Sequence, residues 1–148
     1  MSGLKMPQAN AATLKKRAEI VADMRIIVPG EGVVDTENEM RAFESDGLTA
    51  YRQMPLVVVL PETTAQVSRI LKYCHERDIR VVPRGSGTSL SGGALPLEDA
   101  VLLVMSRFNR ILDIDYANRA VVAQPGVTNL GITHAVEQEG FYYAPDPS

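Results

Sequence analysis

The residues best suited to chemistry lie together in one stretch, Pro83 to Gly93, which reads PRGSGTSLSGG. It holds Gly85, Gly87, Gly92 and Gly93, the hydroxyls of Ser86, Thr88, Ser89 and Ser91, and the cation of Arg84. Glycine admits positive φ and lets a ligand come close to the main chain. Successive backbone N–H groups in such a loop turn inward as an anion-binding nest. Hydroxyls add donors, and a guanidinium matches phosphate oxygens. Together these features describe a phosphate or pyrophosphate site. The stretch is not a GxGxxG dinucleotide fingerprint, because Leu90 stands where the third glycine belongs. Nor is it a P-loop, because no Lys-Ser/Thr follows Gly92-Gly93. The competing reading is a plain Gly/Ser surface loop. Against it stand the apolar run Ile79–Val82 leading in, Arg84 at the start, and the apolar exit Ala94-Leu95-Pro96-Leu97.

Other reactive side chains form no constellation. Asp113 and Asp115 alternate on one face and could act as a carboxylate pair, but the simpler reading is the solvent side of a hairpin arm. Cys74 and His75 are adjacent, and neighbours on a helix do not face each other, so Cys74 reads as an inert core thiol. His134 reads as a surface residue in mid-helix. One cysteine excludes a disulfide framework and a cysteine metal cluster, and the two histidines stand far apart, so no metal site is expected. No catalytic residue is assigned.

Around the loop, the pattern predicts the elements that position it. Leu56–Leu60 (LVVVL) reads as a buried strand. Thr63 and Gln66 have capping-box spacing at the start of a helix whose apolar face carries Val67, Ile70, Leu71 and Cys74. Ile79–Val82 is the next strand, and strand-helix-strand with tight connections makes a parallel βαβ unit. The glycine loop then leaves the carboxyl end of a strand, the edge where open α/β sheets bind ligands. Downstream, Val101–Val104 is a strand, and Ile111–Asp115 and Arg119–Ala123 form a hairpin. Gln124-Pro125-Gly126 is a turn. Thr128 caps a helix carrying Leu130, Ile132, Ala135 and Val136 that ends at Gly140, and Phe141–Tyr143 reads as a short strand. Upstream, residues 11–24 predict one helix with Leu14, Ala18, Val21 and Ala22 on a face, stopped by Pro29-Gly30. A second, short helix has a capping box at Thr36 and Glu39, with Met40 and Phe43 facing a core, and Asp46-Gly47 ends it.

At 148 residues with 45% hydrophobic content, the chain is large enough to bury a core. A net charge of −3 gives no attraction for nucleic acid. The longest apolar runs are strand length, far short of the ~20 residues of a membrane-spanning helix. The N-terminus has no apolar core of the kind a secretory signal carries.

Taken in order, LVVVLPETTAQV, RVVPRGSGTSLSGGALP, LLVMSRFNRILDID, AQPGVTNL and YYAPDPS resemble the FAD-binding domain of the vanillyl-alcohol oxidase and p-cresol methylhydroxylase (PCMH) type. SDGLTAYRQMPL and SGGALPLEDAVLLVM are similar to the group formed by the flavin-carrying chains of bacterial glycolate oxidases, with the D-lactate and D-2-hydroxyglutarate dehydrogenases as neighbouring alternatives. The resemblance implies an α+β fold of two small subdomains, a parallel βαβ unit and a more antiparallel sheet, with FAD between them. The expected division is a helical extension over residues 1–50 and a FAD-binding domain over 51–148. Pro83, Arg84, Gly85, Ser86, Gly87, Thr88, Ser89, Gly92 and Gly93 would wrap the FAD pyrophosphate, Pro125 and Gly126 would lie against the cofactor, and Pro145, Asp146, Pro147 and Ser148 would begin the segment along the flavin. The family continues past this motif into a cap domain with substrate-binding arginines and metal-binding histidines, so the chain is expected to be an N-terminal fragment, inactive alone. The intact enzyme would oxidise a small 2-hydroxy acid, glycolate or D-lactate, to the 2-oxo acid. It would work with a second flavin subunit and an iron–sulfur subunit, in the cytoplasm or at the inner membrane through those subunits. The alternative from another class is a non-catalytic nucleotide-binding or subunit-assembly module.

Overall fold

The computed structural model describes residues 6–144. Its centre is a four-stranded sheet in the order β1-β2-β4-β3, formed by Val33–Val34, Val57–Val59, Ala100–Val104 and Arg80–Arg84 respectively. β2, β4 and β3 run parallel, and β1 pairs antiparallel with β2. The βαβ expectation holds in direction: β2, helix α4 (Thr64–Glu76) and β3 follow in sequence with both strands parallel. The two strands are not neighbours, however, because β4 fits between them and bonds to both.

Strand residues alternate between two cores. Val57, Val59, Val101 and Leu103 face α2 (Arg17–Ile27) and α4, meeting Ile20, Met24, Ile70 and Cys74. Val58, Leu102, Val104 and Val82 face the other way, against Met40 with Phe43, Met54 and Leu97. A sheet covered on both faces needs continuous apolar strands, which is why LVVVL and AVLLV lack alternation. β3 runs two residues further than the pattern predicts. Pro83 and Arg84 are strand residues, in register with Leu103 and Val104. Proline is tolerated because β3 is an edge strand, where a missing N–H leaves no partner unserved.

Several local expectations are corrected. The first helix divides at Lys16 into α1 (Ala11–Lys15) and α2, where the Lys16 N–H bonds the Thr13 carbonyl and Arg17 donates through Nε to Leu56 O (2.9 Å) and through Nη2 to Asp35 O (2.5 Å). The buried stripe of α2 is Ile20, Val21, Met24 and Ile27, and Ala22 is exposed. The Thr63/Gln66 capping box forms in full. The box at Thr36 does not, because the Thr36 hydroxyl bonds the Glu39 carboxylate and α3 (Glu37–Met40) lasts one turn before a 3₁₀ turn at Arg41–Phe43. On α4, Leu71 is 45% exposed and Tyr73 takes its place in the core. Helix α5 (Asn129–Val136) is capped by Thr128, buries Ile132 and Val136, and leaves Leu130 and Ala135 exposed. Phe141–Tyr143 is not a strand. Its contacts are local instead: Phe141 packs on Tyr116, and the Tyr143 N–H bonds Thr133 Oγ1.

The second sheet is a hairpin, β5 (Ile111–Asp115) and β6 (Ala120–Ala123), with a bulge between Ile111 and Asp113. The architecture is therefore α+β, a mainly parallel sheet followed by a separate antiparallel one.

Candidate functional site

The parallel strands end together, and the glycine loop leaves β3 at that carboxyl edge. The end of β4 is tied to the same place, because the Met105 N–H bonds Arg84 O at 2.8 Å. From there a short chain of backbone bonds reaches the downstream turn: the Phe108 N–H bonds Met105 O at 2.9 Å, and the Gly126 N–H bonds Phe108 O at 2.7 Å. Position 126 must be glycine for this approach, since a Cβ there would lie 2.3 Å from Met105 O and 2.8 Å from Phe108 O. The segments 83–93 and 125–126, separated in sequence, thus share one edge of the sheet. Positions 145–148 lie outside the described residues.

The loop has the main-chain character of an anion cradle. Among the described residues, no hydrogen bond takes a backbone amide of 85–92 as its donor. Only at the exit do amides find protein acceptors: Gly93 bonds Ser89 Oγ (3.2 Å), Ala94 bonds the Asp46 carboxylate (3.3 Å) and Leu95 bonds Gly92 O (3.2 Å). Backbone amides seek partners, so a run of them left to solvent at a sheet edge is a set of donors ready for a ligand. Gly87 has φ of +78°, the left-handed region that side chains resist.

Arg84 is placed otherwise than its charge alone would lead one to expect. Its side chain is turned under the loop, with the residue only 9% exposed, and Nη1 donates to Phe43 O (3.1 Å) and Ser45 O (2.8 Å). Burial lowers its pKa and nearby Asp46 opposes that shift. Asp46 is itself buried and accepts from Leu48 N at 2.9 Å as well as from Ala94 N. In the sequence, Asp46-Gly47 reads only as a helix stop. Its one usable signal is an acid-glycine pair ahead of a buried strand, which does not say what it will touch.

The remaining candidates are dispersed. Asp115 shapes the hairpin turn, accepting from Asn118 N (2.9 Å) and Nδ2 (2.6 Å), and those bonds hold its carboxyl below the usual range. Asp113 is exposed. Cys74 is buried, and that burial pushes its thiol up to about 11. His134 is exposed. Among the described residues, no His, Cys, Asp and Glu side chains cluster in a way that could hold a metal, and no helix is long and apolar enough to cross a membrane.

A glycine loop displaying free amides at the carboxyl edge of a parallel sheet is an arrangement suited to a phosphate-bearing ligand. Comparison with known proteins specifies which one. Residues 55–148 match the family model described as FAD binding domain, and the chain belongs to that family, whose cofactor is FAD. The chain is 52% identical over 132 residues to glycolate oxidase subunit GlcD of Escherichia coli K12, covering 89% of this chain and 26% of that protein. It is 31% identical over 134 residues to a probable mitochondrial D-2-hydroxyglutarate dehydrogenase of Oryza sativa subsp. indica, covering 90% and 24% respectively. Among solved structures, p-cresol methylhydroxylase with substrate bound superposes with a TM-score of 0.70 at 17% identity, over 91% of this chain and 27% of the other, a likeness of fold. The chain spans about a quarter of the length of the curated relatives it matches. The residues present fit the cofactor: free amides and an uncrowded Gly85, where a Cβ would meet nothing within 4 Å, leave room for a pyrophosphate against the main chain.

Proposed function

We propose that residues 83–93, together with Pro125, Gly126 and the segment Pro145-Asp146-Pro147-Ser148, hold FAD in a flavoprotein that oxidises a small 2-hydroxy acid to the 2-oxo acid. The observation that carries this reading is the run of amides at 85–92 without an acceptor among the described residues, set at the sheet edge where such folds take ligands. The amides would bind the pyrophosphate oxygens, and the hydroxyls of Ser86, Thr88 and Ser89 would add donors. The Pro125-Gly126 turn, pinned to the same edge, would fix the cofactor's orientation. When bound, FAD supplies the hydride acceptor, and the protein's part is to position it and tune its electronics. The base that takes the hydroxyl proton and the groups that clamp the carboxylate are assigned to the whole protein outside these residues.

The relatives' names support glycolate as substrate, with D-2-hydroxyglutarate as an alternative, and D-lactate is a further small 2-hydroxy acid of the same class. One relative is named as a subunit, which supports assembly with partner chains, and an iron–sulfur subunit is a suitable carrier for the electrons. The test is to purify the whole protein, record its flavin spectrum, and assay it with an artificial electron acceptor against each of the three acids. Turnover of one of them with bound FAD is the expected result. A colourless protein that still binds partner chains would establish the assembly-module alternative instead.

A further inference from the structure

We propose that Arg84, Asp46 and Gly47 form a brace that positions the glycine loop for its ligand, and that Arg84 acts through this brace rather than by touching the phosphates. The inference rests on the FAD reading above and deepens it. Sequence proximity to the glycines suggests Arg84 as a phosphate contact, and the geometry gives it another task.

Residues 43–47 hold the loop at three points. At its start, the Arg84 guanidinium bonds Phe43 O and Ser45 O and carries Gly87 on its surface: a Cβ on Gly87 would lie 2.2 Å from Nη2 and 2.5 Å from Cζ. The Phe43 ring lies 5.8 Å from the same guanidinium. In the middle, Gly47 presses against the loop backbone, where a Cβ would stand 2.7 Å from Thr88 O and 2.8 Å from Ser89 O. At the end, the Asp46 carboxylate receives the Ala94 N–H while its other oxygen receives the Leu48 N–H. Between Nη1, committed to two carbonyls, and Nη2, covered by Gly87, the cation faces protein.

The middle contact fixes how closely the two backbones approach, since a Cβ at position 47 would overlap Thr88 O, Ser89 O and Thr88 C. The brace therefore sets the position of the loop backbone against residues 43–47 from both ends and the middle. A buried charge left without its carbonyl acceptors is costly, so the brace is cooperative: losing one contact loosens the others.

The test separates brace from direct contact with two readouts on the whole protein. The first is amide hydrogen exchange across 85–94 without nucleotide, in wild type, Arg84→Lys, Arg84→Ala, Asp46→Asn and Gly47→Ala. The brace predicts exchange there faster by roughly tenfold or more in each variant, with β2 and β4 unchanged, and no rescue by lysine, which lacks the planar fork. The second is FAD affinity as a function of salt. A brace lowers affinity while leaving its salt dependence as in wild type, whereas loss of a direct ion contact flattens it. Exchange unaltered in Arg84→Ala, with a flattened salt dependence restored by Arg84→Lys, would overturn the proposal. Should the wild-type protein take up no FAD while the exchange effects appear, the brace is supported and the FAD reading fails. Asp46→Asn keeps the size of the buried carboxylate and Arg84→Lys keeps the charge, so they serve if Arg84→Ala does not fold.

Discussion

The central sheet and the β5–β6 hairpin draw on the same residue types and end up in opposite environments. Val58 and Leu102 are fully buried between two cores, whereas Leu112 and Val122 on the hairpin are 58% and 54% exposed. The sheet is covered by α2 and α4 on one face and by Met40, Phe43 and Met54 on the other. The hairpin is two-stranded and meets α5 on one side around a shallow cleft of about 440 Å³ lined by Ile114, Val121, Ile132 and Phe141. A two-stranded ribbon is marginal by itself. The glycine loop springs from the region that is already closed, so its shape rests on a formed core.

The largest expected effect tests that contrast directly. Leu102→Ala should destabilise the chain by about 2–5 kcal/mol, the range for truncating a core leucine. Leu112→Ala should cost no more than about 0.5 kcal/mol. Urea unfolding of the two variants is the measurement, and equal losses would break the comparison. Next comes the joint between the regions. Gly126→Ala adds a methyl 2.3 Å from Met105 O, an overlap expected to cost about 1–3 kcal/mol. Hydrogen exchange should show the damage concentrated in 105–108 and 124–127, and damage spread evenly over β2 and β4 would show that the joint is not local.

The smallest effect concerns the thiol in the closed region. Burial raises the Cys74 pKa to about 11, with Arg77 opposing. The folded thiol holds its proton more tightly than the unfolded one, so its contribution is complete below pH about 9 and declines as pH rises toward about 11. Native protein should therefore react slowly with a thiol reagent at mildly alkaline pH. The stability curve of Cys74→Ala should be flatter between pH about 9 and about 11, with flavin binding kept. Rapid labelling of folded protein would place Cys74 at an accessible surface and count against the closed core.

Legibility in the sequence followed the range of the interactions. The Thr63/Gln66 box, the glycine loop after a strand, the hairpin and the Thr128 cap were all readable, because each depends on neighbours a few residues apart. Thr36 and Glu39 have the same spacing as Thr63 and Gln66, yet no box forms, since a one-turn helix leaves the two side chains free to bond each other. The place of β4 between β2 and β3 was not readable. Nor was the inward turn of Arg84, which depends on carbonyls some forty residues earlier in the chain. The sequence thus marked the glycine loop, while the bonds of Arg84 to Phe43 and Ser45 emerged only in three dimensions.

The insertion of β4 between β2 and β3 also orders events in time. As the chain leaves the ribosome, β2, α4 and β3 emerge with a gap one strand wide between the two parallel strands. The glycine loop is synthesised before the strand that fills the gap. Only after residue 105 has emerged can the Met105–Arg84 bond form and the loop's root be fixed. Until then the longest-range pairings, which carry the greatest loop-closure cost, stay unmade. A nascent chain paused before that point would expose two apolar strand edges, so this interval is the one in which a chaperone has most to protect.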